Sequence, residues 1–228
     1  MSTKPAAAQR KATQYERTLN LSYQIVDSID HLSKKTEGLV ELGCSYEISA
    51  TVFSVSFSEA CADFVRTMAD YMLSGHEIKH DETVAYGYWL TKGKILDDRH
   101  LNFFEYNPEA TEFIFGIENT LRYWCSQTTL CSREGAKFEA PRPDQMVAIS
   151  DGVYEGDAVE GVRYGSPPHM SGWWLTTNRF DGDIKSLKVV HLFHLTENRP
   201  DLAKYLALPY GYRFSSQEDE VWFDGKAV

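Results

Sequence analysis

The hydrophobic positions of the chain switch repeatedly between a period near 3.6 and a period of 2. Leu21, Ile25, Ile29 and Leu32 fall at helical spacing, which predicts a first helix over 21–35 with Lys34 and Lys35 near its C-terminus. Residues 46–57, YEISATVFSVSF, alternate through Ile48, Ala50 and Val52 and then, with one slip, Val55 and Phe57. They are rich in β-branched and aromatic side chains, as a strand requires. Ser58 then caps a predicted helix, SEACADFVRTMADYMLS, with Cys61, Phe64, Val65, Met68 and Met72 on one face. Strands are predicted at Thr83–Thr91 and His100–Tyr106, separated by the turn Lys92–Gly93–Lys94. Asn107–Pro108 opens a third helix, with Glu109 and Glu112 suited to its first turn and Phe113, Ile117, Leu121 and Trp124 as its buried stripe.

From residue 146 the pattern becomes one of short apolar runs, Met146–Ile149, Trp173–Thr176 and Val189–Leu192, separated by Gly, Pro, Asp and Asn clusters. That is how strands and tight turns read. A short helix follows, with Asn198 as N-cap, Pro200 in the first turn, Leu202, Tyr205 and Leu206 as its apolar stripe, and Pro209 as its stop. The fold class is therefore α+β: an N-terminal antiparallel sheet with two or three helices, packed against a smaller C-terminal α+β unit. The polar, proline-bearing stretch Glu134–Asp144 marks the boundary. The expected divisions are a mobile tail over 1–20, an N-terminal unit over 21–138 and a C-terminal domain over 139–228.

Composition narrows the function classes. The net charge is −10, with 14 basic and 19 acidic side chains in 1–138 and 9 and 14 in 139–228, so each half carries −5. No basic stripe is left for nucleic acid, and no apolar run reaches the roughly 20 residues of a membrane helix. The balance suits an encounter with a basic partner. Cys44, Cys61, Cys125 and Cys131 form no C-x-x-C pair, and the N-terminus lacks an apolar signal region, so reduced thiols and a cytoplasmic location are expected.

Four linked motifs lie in the last third: SD-x-x-x-EG at Ser150–Gly156, SGWW at Ser171–Trp174, H-x-x-HL at His191–Leu195, and RPDLAKYLALPYGYRF at Arg199–Phe214. Together they resemble the bacterial immunity protein 33 family of polymorphic toxin systems. That resemblance implies a non-catalytic cytoplasmic protein that binds a cognate protein toxin and occludes its active surface. It implies no cofactor and no catalytic residues, and it leaves the oligomeric state open.

Candidate site residues follow from residue type and spacing. Residues 139–160 hold Glu139, Asp144, Asp151, Glu155, Asp157 and Glu160 against Arg142 alone, the densest acidic stretch of the chain and the first choice for a partner-facing surface. Trp173 and Trp174 are adjacent, so on a strand one faces the core and the other the opposite side, where an aromatic anchor is available to a partner. Tyr210 and Tyr212 carry the same two options. The alternative is enzymatic: HEIKH at His76–His80 is a literal H-E-x-x-H, which on a helix lets His76 and His80 bind zinc with Glu77 as general base. Glu105 or His100 would then supply a third ligand, and the chain would be a zinc-dependent hydrolase. His191 and His194 pair on a helix but diverge on a strand, and the resemblance, which places both in the signature, implies structural hydrogen bonding rather than metal binding.

Overall fold

The structure is a computed structural model that describes residues 22–97 and 99–227. The expected tail over 1–20 lies outside the described residues. The fold is α+β, and the chain forms two compact units that interleave in sequence. The first takes the described residues up to 82 together with 92–104 and 115–118. The second takes 83–91, 105–114 and everything from 119 onward.

In the first unit, β1 (Gln24–Asp27) and β2 (Ser33–Glu37) form a hairpin where a helix was predicted. The spacing of Ile25, Ile29 and Leu32 is helical only by coincidence, because Ile29 sits at the hairpin tip and is fully exposed. Local polar chemistry selects the turn. Ser28 N–H donates to the Ser33 carbonyl at 2.9 Å, Leu32 N–H donates to Asp30 Oδ1 at 3.1 Å, and His31 adopts a positive φ of 59°. Across the hairpin the nearly buried Lys34 pairs with Asp27 at 2.5 Å, at opposed register positions.

β3 (Glu47–Thr51) covers only the start of the expected strand, and the rest gives way to a 3-10 turn at Val55–Phe57. That turn leads into α1 (Ser58–Leu73). Ser54 caps the 3-10 turn, its side chain accepting from Ser56 N–H, whereas the N-cap of α1 is Phe57 without a side-chain bond, so Ser58 is the first residue of the helix rather than its cap. The predicted stripe Cys61, Phe64, Val65, Met68 and Met72 is buried. β5 (Trp89–Ile95) and β6 (His100–Tyr106) continue this sheet in the order β1-β2-β3-β6-β5, and two more strands, described below, bring it to seven. Lys92–Gly93–Lys94 lies inside β5 rather than forming a turn. The sheet is mixed rather than antiparallel, because β3 runs parallel to β6, with Ile48 opposite Leu101.

In the second unit, β4 (Thr83–Tyr86) turns through Gly87 (φ +62°) into the first residues of β5. The expected third helix opens at Glu118 rather than at Asn107, so Leu121 and Trp124 lie on it while Phe113 falls in a strand. Asn107 instead closes a loop, its Oδ1 accepting from Thr111 N–H at 2.8 Å and Glu112 N–H at 3.2 Å. β7 (Phe113–Phe115) follows, residues 115–118, with Gly116 at φ +95°, belong to the first unit, and α2 runs from Glu118 to Arg133. Its first turn is capped from β6, since Glu105 accepts from Asn119 N–H at 2.9 Å, Thr120 N–H at 2.6 Å and the Thr120 hydroxyl at 2.8 Å.

The second sheet comprises β8 (Met146–Ile149), β9 (Glu160–Arg163), β10 (Met170–Thr176), β11 (Lys188–His191), β12 (Tyr212–Ser215) and β13 (Glu220–Phe223). Their order is β11-β8-β10-β9-β12-β13, with β8 parallel to β10 and a bulge between Met170 and Trp174. α3 (Leu192–Asn198) and a 3-10 turn at Pro200–Tyr205 complete the unit. The cap of that turn is Arg199, not Asn198, and Leu202, Tyr205 and Leu206 are buried as the stripe required. Val147, Ile149, Trp173, Leu175 and Phe214 form one face of the sheet. They share a core with Leu130 and Tyr123 of α2, with Leu192 and Leu195 of α3, and with Leu202 and Tyr205.

Candidate partner-binding surface

Four sequence motifs converge in this second unit, and two buried arginines join them. Arg199, from RPDLAKY, donates through Nη1 to the carbonyls of Val153 (2.6 Å) and Asp157 (3.1 Å), which holds the loop of the Ser150–Gly156 motif. Its other edge makes two bonds to Asp201, a charge-assisted fork that keeps Asp201 ionised below the usual carboxylate range. Arg163, on β9, donates to Ser171 O (2.9 Å), Glu139 O (2.6 Å) and Leu208 O (2.6 Å), binding the SGWW motif to the LALPYGY segment. The ring of Tyr210 stacks 4.7 Å from its guanidinium carbon, and burial lowers the pKa of this guanidinium. Trp173 adds a bond from Nε1 to Leu206 O at 3.0 Å. Arg163 was not singled out in the sequence. The available signal was a lone cation directly after the acidic stretch.

The remaining loop polar groups are also spent locally. Ser150 Oγ accepts from Thr177 N–H at 3.0 Å, and Glu155 accepts from Gly152 N–H at 2.9 Å. Asp151 pairs with Lys188 at 2.7 Å, which lowers its pKa, and Asp157 pairs with Arg179 at 2.6 Å. Within the acidic stretch 150–160, Glu160 is the carboxylate that stands exposed on the sheet without an ion-pair partner among the described residues. The charge density read from the sequence is thus partly neutralised by cations from 179 and 188.

The tryptophans divide as strand alternation requires. Trp173 is fully buried, so its ring builds the core and is not available to a partner. Trp174 points to the opposite face, half-buried, with Tyr164 edge-on at 6.0 Å. Tyr212 lies on the core side, packed against the buried cluster, and Tyr210 is occupied by Arg163. The structure therefore brings Trp174 and Glu160 to the same sheet face and places Trp173, Tyr210 and Tyr212 elsewhere.

A further node orients the last hairpin. Asp219, in the β12–β13 turn at φ +54°, accepts from Lys204 Nζ (2.6 Å), the Tyr205 hydroxyl (2.6 Å) and Arg133 Nη1 (3.1 Å). These donors hold its carboxyl well below the ordinary range, Lys204 most strongly, while burial raises the pKa of the Tyr205 phenol.

The HEIKH stretch is not helical, which removes the geometry of the zinc reading. His76 stacks on Tyr71 at 4.2 Å and contacts Ser74 Oγ at 2.9 Å. His80 Nδ1 accepts from Ile95 N–H at 3.0 Å. Ser74 and Gly75 terminate α1 before His76, so an i, i+4 pairing of imidazoles on one helical face does not arise. Glu105 is occupied as a helix cap, and His100 lies against Asp97 at 3.0 Å. Among the described residues, no group of three or more His, Cys, Asp or Glu is placed to hold a metal ion. His191 ends β11 and His194 lies in α3, with ring centroids 6.0 Å apart and His194 3.6 Å from Glu197.

No helix among the described residues is long and apolar enough to cross a membrane. No curated protein and no solved structure matches the chain. Residues 126–224, from within α2 through β13, match the family model of the Imm33-like domain, so the C-terminal part of the chain is similar to the immunity-protein family that its four motifs resemble.

Proposed function

We propose that the chain is a non-catalytic, cytoplasmic immunity protein that neutralises a cognate protein toxin by covering its active surface. The match of residues 126–224 to the Imm33-like domain carries this reading. The use of the motif residues supports it. Ser150, Ser171, Trp173 and Arg199 direct their polar groups into the fold, so the motifs maintain a scaffold, and recognition falls to the surface that the scaffold presents. The acidic balance of both halves favours a basic toxin, whose encounter an opposite field accelerates.

The test is affinity capture of the tagged full chain from its native host. Each captured protein is then expressed alone and together with this chain. A stoichiometric partner that kills alone and is harmless in co-expression is the expected result. A partner that is harmless alone, or lethal despite co-expression, would overturn the reading.

A further inference from the structure

The second sheet has one face in the core and one face away from it, and register pairing makes the composition of the outer face explicit. Ala148 pairs with Val189 on one side and Trp174 on the other. Trp174 pairs with Val162, Val162 with Arg213, and Arg213 with Trp222. Each of these residues neighbours a core-facing residue along its strand, so all six project from the outer face in a single transverse row. Five are apolar. Val189 and Trp222, at the two edges, are 52% and 40% exposed, Trp174 and Val162 are half-buried, Ala148 is buried between its neighbours, and the sixth, Arg213, is neutralised by Asp224 at 2.7 Å. Strands about 4.8 Å apart carry the row across about 24 Å.

The adjacent row supplies a charge. Thr176 pairs with Glu160, Glu160 with Ser215 and Ser215 with Glu220. Glu160 and Glu220 are exposed, and neither has an ion-pair partner among the described residues. An apolar band bounded by two free carboxylates is complementary to an apolar patch flanked by lysine or arginine. The Asp219 node, one residue before Glu220, fixes the hairpin that carries both Glu220 and Trp222.

We infer that this outer face is the toxin-docking surface, with Trp174 and Trp222 as aromatic anchors and Glu160 and Glu220 as contacts for basic side chains of the toxin. This rests on the toxin-binding reading above and adds the surface and the chemistry of the partner. It differs from the acidic 150–157 loop, whose Asp151 and Asp157 are paired with Lys188 and Arg179.

Wild type, Trp222→Ser, the double variant Glu160→Lys/Glu220→Lys and a control, Ile184→Ser, serve as baits for a native-host extract. Ile184 is 66% exposed and lies on a 3-10 turn outside the sheet. The captured protein is accepted as the toxin only if it kills alone and wild type rescues, and its binding kinetics are then measured with each full-length form. Trp222→Ser is expected to weaken binding about tenfold or more, as loss of an aromatic anchor does. The double lysine variant is expected to slow association about tenfold at low salt, with the difference shrinking as salt rises. The control should bind as wild type does.

A rescued toxin that binds both outer-face variants like wild type would overturn this surface while leaving the immunity reading intact. Recovery of no toxin that wild type neutralises would overturn both. A wild-type dimer that Trp222→Ser converts to monomers without weakening the toxin would assign the face to a second copy and overturn the proposal.

Discussion

Replacing Arg163 with methionine removes the cation that ties three segments together while keeping an unbranched side chain of similar length. Glu139 and Leu208 lie outside strands and helices, and Arg163 is the donor their carbonyls have among the described residues, at 2.6 Å each. Leaving a buried carbonyl without a donor costs about 1–3 kcal/mol, so two orphans give about 2–6 kcal/mol. Loss of the contact with Tyr210 adds to this, and relief from desolvating the guanidinium subtracts. A net destabilisation of about 3 kcal/mol results, which for a chain of this size lowers Tm by about 6–12 °C. Urea unfolding followed by tryptophan fluorescence reads the change directly, since Trp173 lies beside the lost cation. Arg163→Lys should recover only part of the loss, because an ammonium cannot reproduce the planar fork. A midpoint for Arg163→Met corresponding to less than about 1 kcal/mol, or full rescue by lysine, would show that the carbonyls find other donors and would refute the reasoning.

Three further outcomes are expected. Asp219→Asn should cost about 1 kcal/mol at neutral pH, a figure already discounted for a half-exposed carboxylate. Because the folded pKa of Asp219 lies below its unfolded value, this stability is present above about pH 4 and is lost as pH falls further. Urea midpoints of wild type and variant should therefore converge in acid. Gly161→Ala places a Cβ 2.1 Å from the ring of Phe214, so thermal melts should show a loss of about 2–3 kcal/mol and displacement of that ring. His76→Ala, at an exposed site between Tyr71 and Ser74, should change stability by less than about 0.5 kcal/mol and leave toxin neutralisation unchanged, as read by melting and co-expression survival.

Much of the fold was legible in the chain where one local signal had no competitor. The stripe of α1, the apolar runs of β8 and β10, and the proline-opened turn at 200–205 all appear where patterning placed them. The pattern misled at 21–35 and at 107–112, where Ser28, Asp30 and Asn107 bind nearby backbone N–H groups and so favour turns over a helix of the same hydrophobic spacing. The candidate surface was only half legible. Trp174 follows from alternation, but Trp222 and Glu220 reach the same face through strand order and a bulge, neither of which is a local property. The charges at 151 and 157 were visible, whereas their neutralisation by Lys188 and Arg179 depends on tertiary folding.

The interleaving of the two units has a consequence in time. During synthesis the first unit has all of its chain once residue 118 has emerged, whereas the second must retain Tyr88, Trp89 and Tyr106 until β8 to β13 arrive to cover them. Until then those rings have only one another and Tyr123 as ring partners from this core. For the same reason, a fragment limited to 126–224 lacks Tyr88, Trp89 and Tyr123 from its own core.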